Sequence, residues 1–214
     1  MASAQIKIAD ITSDQIVQRL NGGGARSPAR IELGFNPDPQ LLRNAAVLIL
    51  LVRENNDWSV ILTARTEFVE DHKGQVAFPG GACEQQDGSP ETTALREAAE
   101  EIGLPAGLAR ILGRMAEYQT ISHYRITPVV AVVDWPFPLK LQRSEVRRAF
   151  TIPLEFLARS GNHAERIPEG AQSGTEIRGQ NVPLVYFEPW EGEVLWGISA
   201  RIMLDFLIKL GLVA

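Results

Sequence analysis

Residues 45–52 constrain the fold more than any other segment, because they form an unbroken apolar run, AAVLILLV. A helix that crosses a membrane needs about 20 apolar residues, so this run is too short to span a bilayer. A short continuous apolar run bounded by polar residues is typical of a buried strand. We therefore predict a folded domain built on a buried sheet, with no membrane contact.

The segments on either side predict a mixture of strands and helices. Residues 54–57 are turn-forming, and residues 58–63 return as the second strand of a hairpin. Further strands are predicted at 75–78, 111–120, 125–133 and 182–187, and helices at 90–102, 155–158 and 195–210. Because strands and helices do not alternate strictly, the pattern favours an α+β fold or an α/β/α sandwich over a doubly wound sheet.

The N-terminal 40 residues are predicted to form a helix and a connecting segment ahead of the main domain at 41–214. Thr12 and Gln15 have the spacing of a capping box, and the helix should end before Gly22. Residues 26–40 contain three prolines and little periodicity, which is typical of a connection. Near the other end, residues 160–180 are polar and glycine-rich and are predicted to be a mobile loop.

Composition excludes several classes of protein. Hydrophobic residues make up 45% and charged residues 22%, as in ordinary globular proteins. The net charge of -5 argues against nucleic-acid binding, which needs basic surface. One cysteine leaves no intramolecular disulfide and no four-thiolate zinc site. No basic stretch followed by a long apolar run marks a signal peptide at the N-terminus, so a cytoplasmic protein is expected.

The predicted helix Pro90–Ile102 carries the strongest chemical signal. Ser89 can cap its start, and Gly103 is placed to end it in a left-handed conformation. At about 100° per residue, the three carboxylates Glu97, Glu100 and Glu101 share one face, while apolar residues occupy another. Clustered carboxylates repel one another, and Mg²⁺ or Mn²⁺ would neutralise them, but a solvated acidic face is an equally good interpretation of the helix alone.

The residues before this helix change that balance. FPGG at 78–81 ends a predicted strand with two glycines, which let backbone carbonyls approach an ion closely. Together with REAAEEIGL at 96–104, this arrangement resembles the Nudix box. The second half of the family pattern fits if Ala98 is accepted as its aliphatic position. The first half departs from it, because Gly81 lies one residue too far from Arg96 and Asp87 stands near the place of the family's first Glu.

The longer loop resembles one Nudix subgroup, the coenzyme A pyrophosphatases. Their upstream signature is similar to ILTARTEFVEDHKGQVAFPGG at 61–81, including Arg65, His72 and Gly74. One mismatch bears on the substrate, because Glu70 stands where the subgroup usually has Arg. Weaker resemblance continues downstream to about residue 207. The resemblance implies a Nudix α/β/α sandwich with a mixed central sheet.

The resemblance also implies a reaction. It predicts metal-dependent hydrolysis of the diphosphate of coenzyme A or its thioesters, with 3',5'-ADP and (acyl-)4'-phosphopantetheine as products. The cofactor is expected to be Mg²⁺ or Mn²⁺, and the partner a small-molecule nucleotide diphosphate. Family resemblance and base rate favour a homodimer. Two alternatives stay open: a Nudix pyrophosphatase acting on ADP-ribose, dinucleotides or damaged nucleotides, which Glu70 and Thr66 support, and a non-catalytic nucleotide-binding Nudix module.

Candidate roles follow from the same resemblance. The predicted metal ligands are Glu97, Glu100, Glu101 and the Gly81 carbonyl, with Arg96 holding the carboxylates in place. The general base is a box glutamate or the distant Glu145, which is equally well interpreted as a surface carboxylate. The predicted substrate contacts are Arg65, His72 and Gly80. Arg65 is equally well a surface arginine at the end of a strand, and a loop-positioning hydrogen bond is the stronger interpretation of His72.

Overall fold

The computed structural model describes residues 7–22, 41–66, 75–120, 122–167, 176–177, 180–181 and 183–213. Its helices are α1 (Ser13–Asn21), α2 (Pro90–Ile102), α3 (Leu154–Ala158) and α4 (Gly197–Lys209), preceded by a 3-10 turn at Ile8–Asp10. Its strands are β1 (Arg43–Glu54), β2 (Asp57–Arg65), β3 (Val76–Ala77), β4 (Gly80–Ala82), β5 (Arg110–Arg114), β6 (Tyr118–Gln119), β7 (Tyr124–Val132), β8 (Val146–Pro153), β9 (His163–Arg166), β10 (Glu176–Ile177), β11 (Gln180–Asn181) and β12 (Leu184–Phe187).

The predicted buried strand is the centre of the sheet. The main path of the sheet runs β3-β2-β1-β7-β5, with β4, β6 and β8 paired alongside it. β1 is parallel to β7 and antiparallel to β2, so the sheet is mixed. The first part of β1 pairs with β4, and its last part pairs with β2. The predicted mixed central sheet is therefore confirmed.

Helices cover both faces of this sheet. Leu48 and Leu50 of β1 pack on the face that carries the buried residues of α2. Ile49 and Leu51 point to the opposite face and pack in the cluster that contains the buried residues of α1, α3 and α4. Successive side chains of a strand point to opposite faces, and both faces are apolar here because both are covered. The α+β class and its α/β/α layering are confirmed.

The N-terminal segment packs on the sheet, with α1 against β5 and the 3-10 turn before it against β2. Thr12 and Gln15 form the predicted capping box, and α1 ends before Gly22. Ile16 is fully buried in the cluster on that face of the sheet. The Trp58 Nε1–H of β2 donates to the backbone carbonyl of Ile11 at 2.7 Å. The first helix therefore shares its core with the sheet, while the division of the chain at residue 40 stays a prediction.

The predicted secondary structure is wrong in several places. Within the predicted loop at 160–180, residues 176–177 and 180–181 pair as β10 and β11. Residues 163–166 form β9, which pairs antiparallel with β12. Their sequence, HAER, has no apolar alternation, because its side chains are exposed or only half-buried. Residues 80–82, which follow the predicted strand at 75–78, form a second short strand, β4, along β1. Strand β8, Val146–Pro153, lies where no strand was predicted. Residues 26–40 lie outside the described part of the chain.

In the described part of the chain, no helix has both the length and the apolar character needed to cross a membrane.

Candidate active site

The acidic helix is fixed at both ends by its own sequence. The Ser89 hydroxyl accepts the Thr92 N–H at the start of α2, and Pro90 occupies the first turn, where no backbone donor is needed. At its end Gly103 is left-handed, with φ 71°. Ala98 and Ile102 are fully buried against the sheet. The packing of this apolar face fixes the rotation of the helix and hence the direction of its carboxylates.

The three helix carboxylates occupy different environments. Glu101 is 4% exposed, and the side chain of Glu97 is mostly buried. The side chain of Glu100 is 58% exposed. Helical spacing placed all three on one face, and the packing of β4 against the helix explains why they are not equally exposed. Glu101 and Glu97 face the protein, and Glu100 lies at the rim.

Glu97 packs against β4, which contains Gly80 and Gly81. A Cβ on Gly81 would lie 2.5 Å from both Cδ and Oε1 of Glu97, so a larger residue would displace this carboxylate. Gly80 is equally constrained, because a Cβ there would collide with the backbone of β1 at Ala46. These close approaches explain the two glycines by packing. The predicted roles of the Gly81 carbonyl as a metal ligand and of Gly80 in substrate binding stay predictions.

Arg96 of α2 connects this helix to β4. Its Nη1 lies 2.9 Å from Glu97 Oε1 and 3.2 Å from Glu100 Oε2, so the predicted Arg96–Glu100 pair is present. Its Nη2 donates to the Ala82 carbonyl at 3.1 Å. The bonds to Asp87, followed by those to Glu97 and Glu100, raise the pKa of Arg96 further above its ordinary value. Arg96 is therefore a permanent cation that orients the carboxylates around it.

Asp87 anchors Arg96, a role that was not predicted from the sequence. It is 6% exposed and accepts Arg96 Nε at 2.9 Å on Oδ1 and Arg96 Nη2 at 3.1 Å on Oδ2. The Glu84 N–H and the Thr93 hydroxyl also donate to Oδ2, at 2.9 and 2.8 Å. The bonds from Arg96 and Glu84 hold the pKa of Asp87 well below its usual range. The signal in the sequence was an acidic residue just before a capped helix that contains an arginine.

Glu101 is the electrostatically unusual group of the site. Its Oε2 is buried and has no hydrogen-bond partner in the described structure. Burial raises the pKa of Glu101 to about 8, the charge of Arg65 opposes the rise, and the charges of Glu97 and Glu145 add to it. Burial also raises the pKa of Glu97; Arg96 opposes this, while Glu100 and Glu145 add to it. A buried carboxylate with one unpartnered oxygen and two like charges nearby is costly without a cation.

The structure brings two sequence-distant candidates to this end of α2. Glu145 is exposed in the turn before β8, and its charge acts on both Glu97 and Glu101. Arg65 ends β2, and its charge is the strongest opposing influence on the raised pKa of Glu101. Arg65 Nε is buried without a hydrogen-bond partner among the described residues. His72 lies outside the described residues, so its predicted substrate contact cannot be located.

The donor set fits a divalent cation that binds oxygen. Across the described ranges, no three His, Cys, Asp or Glu side chains are arranged as a preassembled metal centre. The Glu97 carboxylate pairs with Arg96 instead. The chemistry of the remaining groups still suits Mg²⁺ or Mn²⁺, because the free Glu101 oxygen and the neighbouring Glu97 and Glu145 are hard anionic ligands. A bound cation would offset the burial and the repulsion that raise both pKa values.

A mixed sheet between helices, with buried acidic groups on the helix over one face, defines an α+β protein with a carboxylate site. Comparison with known proteins supplies the family. The model of the NUDIX domain matches residues 42–172. The uncharacterized Nudix hydrolase NudL of Yersinia pestis (strain Pestoides F) is 37% identical over 162 residues, which cover 75% of this chain and 76% of that protein. NudL of Yersinia pseudotuberculosis (serotype O:1b) gives the same values.

A solved structure supports the fold. The MutT/nudix family protein from Enterococcus faecalis is 16% identical and superposes with a TM-score of 0.50 over 94% of this chain and 73% of that chain. The chain therefore belongs to the Nudix family, as an enzyme of the Nudix hydrolase class.

Proposed function

We propose that the protein is a metal-dependent pyrophosphohydrolase that cleaves the diphosphate of coenzyme A or its thioesters, giving 3',5'-ADP and (acyl-)4'-phosphopantetheine. The observation that carries the reaction is the buried Oε2 of Glu101, which lacks a partner and faces the charges of Glu97 and Glu145. Such a group, in a family of diphosphate hydrolases, is best explained as a ligand for a cation.

The proposed cation is Mg²⁺ or Mn²⁺, held by Glu97, Glu100 and Glu101 with help from the Gly81 carbonyl. When bound, a divalent ion neutralises the phosphate oxygens, orients the phosphorus for attack and lowers the pKa of water. Arg96 keeps Glu97 and Glu100 in place through the ion pairs that it makes with both. Asp87 in turn fixes the plane of the guanidinium with two hydrogen bonds.

Glu145 is the proposed general base. It is exposed, so its carboxylate is accessible to water, and its charge reaches Glu97 and Glu101. A general base must lie within hydrogen-bond reach of the proton that it removes, directly or through one water molecule. Removal of a proton from attacking water would leave Glu145 neutral, which also lowers the negative charge around the departing phosphate group. The box glutamates Glu97, Glu100 and Glu101 remain alternatives for this role.

The choice of coenzyme A rests on the signature at 61–81 and on Arg65. Arg65 Nε is buried without a partner, and a guanidinium binds phosphate oxygens well. Of the two features that favoured other diphosphates, Thr66 directs its hydroxyl to the backbone carbonyl of Ser144. Because this bond occupies the hydroxyl, Thr66 bears little on the choice of substrate. Glu70, the remaining feature, lies outside the described residues, and ADP-ribose, dinucleotides and damaged nucleotides stay the alternative substrates.

A substrate panel tests this proposal. Purified protein is assayed with Mg²⁺ and with Mn²⁺ on coenzyme A, acetyl-coenzyme A, ADP-ribose and NADH, and kcat/KM is compared. We expect coenzyme A and its thioester to give the highest values, with 3',5'-ADP as a product by chromatography. A higher kcat/KM for ADP-ribose would replace the substrate, and no turnover of any diphosphate with either metal would contradict the reaction.

A further inference from the structure

Thr66, the residue after β2, gives both of its hydrogen-bond donors to a single turn. Its N–H donates to the Glu145 carbonyl at 2.9 Å, and its hydroxyl donates to the Ser144 carbonyl at 3.0 Å. Thr66 is 5% exposed, so both bonds are shielded from competing water. Two shielded bonds to adjacent carbonyls fix the position and the orientation of that stretch of backbone.

The turn that Thr66 holds lies where the sheet is irregular. Ala64 pairs with Arg148 and Arg65 pairs with Val146, so Arg147 is the extra residue of a β-bulge. A bulge bends its strand and redirects side chains, and bulges are frequent beside active sites. The bonds of Thr66 continue the pairing of β2 with β8 beyond the bulge, into the turn that precedes β8. They set the path of the backbone at the point where it carries Glu145.

The other side of the same segment is held by the end of α2. The Lys140 N–H donates to the Ile102 carbonyl and the Gln142 N–H to the Glu101 carbonyl, both at 2.9 Å. Gly103 allows this approach, since a Cβ there would lie 2.7 Å from the Cβ of Lys140. Residues 140–145 are thus tied at one end to the helix that bears Glu101 and at the other end to Thr66.

We propose that Thr66 is a positioning residue, which holds the Glu145 carboxylate toward Glu97 and Glu101 through its two bonds to the 144–145 backbone. Because Glu145 is exposed, packing does not fix its side chain, and its position depends on the backbone that carries it. This inference rests on the proposed function, since it assigns to Thr66 a role in hydrolysis that acts through Glu145. Thr66 itself touches no reacting atom in this account.

The chain offers a matched pair of substitutions. Thr66→Val keeps the branched shape and the backbone bond to Glu145 but removes the hydroxyl that binds the Ser144 carbonyl. Thr66→Ser keeps the hydroxyl and removes only a methyl group. A role in packing predicts a loss in Thr66→Ser, which removes volume, and little loss in Thr66→Val. A role in positioning predicts the reverse, because serine keeps the hydroxyl and valine does not.

The test measures kcat and KM for wild type, Thr66→Val and Thr66→Ser on coenzyme A with Mg²⁺, and repeats Thr66→Val in a Glu145→Gln background. We expect Thr66→Val to lower kcat about tenfold, the usual order for loss of one hydrogen bond, with KM changed less than about twofold. Thr66→Ser should retain wild-type kcat. In the Glu145→Gln background, Thr66→Val should add little further loss. Wild-type kcat in Thr66→Val, or an equal loss in both backgrounds, would overturn the proposal.

Hydrogen exchange gives a readout that does not depend on turnover. The amides of Thr66, Glu145 and Val146 should be protected in wild type, and those of Glu145 and Val146 should exchange faster in Thr66→Val than in Thr66→Ser. If the wild-type Thr66 amide exchanged at the rate of an unstructured peptide, its hydrogen bond to the Glu145 carbonyl would not form in solution. Failure of the proposed function is a distinct result, because the wild-type protein itself would then cleave no diphosphate. If the wild-type protein is active and the effects of Thr66→Val and Glu145→Gln on kcat are additive, only the role of Thr66 is overturned.

Discussion

Two buried carboxylates lie on opposite faces of the sheet, and their surroundings differ in one respect. Asp205 of α4 accepts the Tyr118 hydroxyl at 2.8 Å and lies 3.7 Å from Arg201. Glu101 of α2 has a buried oxygen without a partner. Burial raises the pKa of both groups. Tyr118 and Arg201 oppose the rise at Asp205, whereas at Glu101 the charge of Arg65 opposes it and the charges of Glu97 and Glu145 add to it. A buried carboxylate whose oxygens both have partners serves stability, whereas a buried oxygen without a partner is available to a ligand.

The largest expected effect separates the two carboxylates by activity. Glu101→Gln should lower kcat at least about 100-fold, since even groups that only support a metal ligand contribute 10–100-fold. The matched substitution Asp205→Asn should leave kcat within about twofold, because Asp205 and its partners Tyr118 and Arg201 lie on the other face of the sheet from Glu101. Circular dichroism checks that both variants are folded. Near-wild-type kcat in Glu101→Gln would show that Glu101 has no part in the mechanism and that the two carboxylates do not differ in function.

A smaller loss is expected when the anchor of Arg96 is weakened. Asp87→Asn removes a charge that holds the guanidinium at 2.9 and 3.1 Å and should release Glu97 and Glu100 from their present positions. We expect kcat to fall by about 10–100-fold. Glu84→Gln is the control, because Glu84 lies 3.9 Å from Arg96 and is half-exposed. Steady-state kinetics on both variants with Mg²⁺ checks this. Equal kcat in the two would show that Asp87 does not support the site.

The pH dependence of stability sharpens the comparison further. The pKa of Glu101 is about 8 in the folded protein, against 4.5 ordinarily, so the folded state holds this proton more tightly than the unfolded state does. Stability from Glu101 is therefore fully present below pH 4.5 and is lost as pH rises toward 8. In EDTA, the Tm of wild type should fall across this pH range more than the Tm of Glu101→Gln does. The Tm of Asp205→Asn should fall as much as that of wild type. Parallel Tm curves for wild type and Glu101→Gln would contradict the buried, unpartnered state of Glu101.

The smallest expected effect concerns the satisfied carboxylate. Tyr118→Phe removes the hydroxyl that donates to Asp205 and leaves that buried oxygen unpaired. The free energy of unfolding should fall by about 1–3 kcal/mol, with kcat unchanged. Urea denaturation measures the first quantity and the standard assay the second. A loss of activity without a loss of stability would assign Asp205 to function and reverse its part in the comparison.

The sequence predicted the elements whose signals are local. Thr12, Ser89 and Gly103 mark helix ends through caps that involve only nearby residues, and all three are in place. The apolar run of β1 identified the centre of the sheet, because a strand that is buried on both faces is apolar at every position and is easily recognised in the sequence. Strand β9 could not be predicted in the same way. Its pairing with β12 joins segments about 20 residues apart, and its own side chains are exposed or half-buried.

The site was predictable in composition but not in arrangement. Helical spacing brought Glu97, Glu100 and Glu101 together, yet it could not show that Glu101 is buried and Glu100 exposed. That difference depends on contact of the helix with β1 and β4. The ties from Thr66 to the turn of Glu145 are also invisible in sequence, because they join backbone carbonyls about 80 residues away.

Binding of Mn²⁺ tests the central claim most directly. Isothermal titration calorimetry or electron paramagnetic resonance at pH 7.5 compares wild type, Glu101→Gln and Asp205→Asn in the absence of substrate. Wild type and Asp205→Asn should bind Mn²⁺ with the same affinity, and Glu101→Gln should bind at least about tenfold more weakly. Equal affinity in all three proteins would show that the buried oxygen of Glu101 holds no cation, and the account of the site would be wrong.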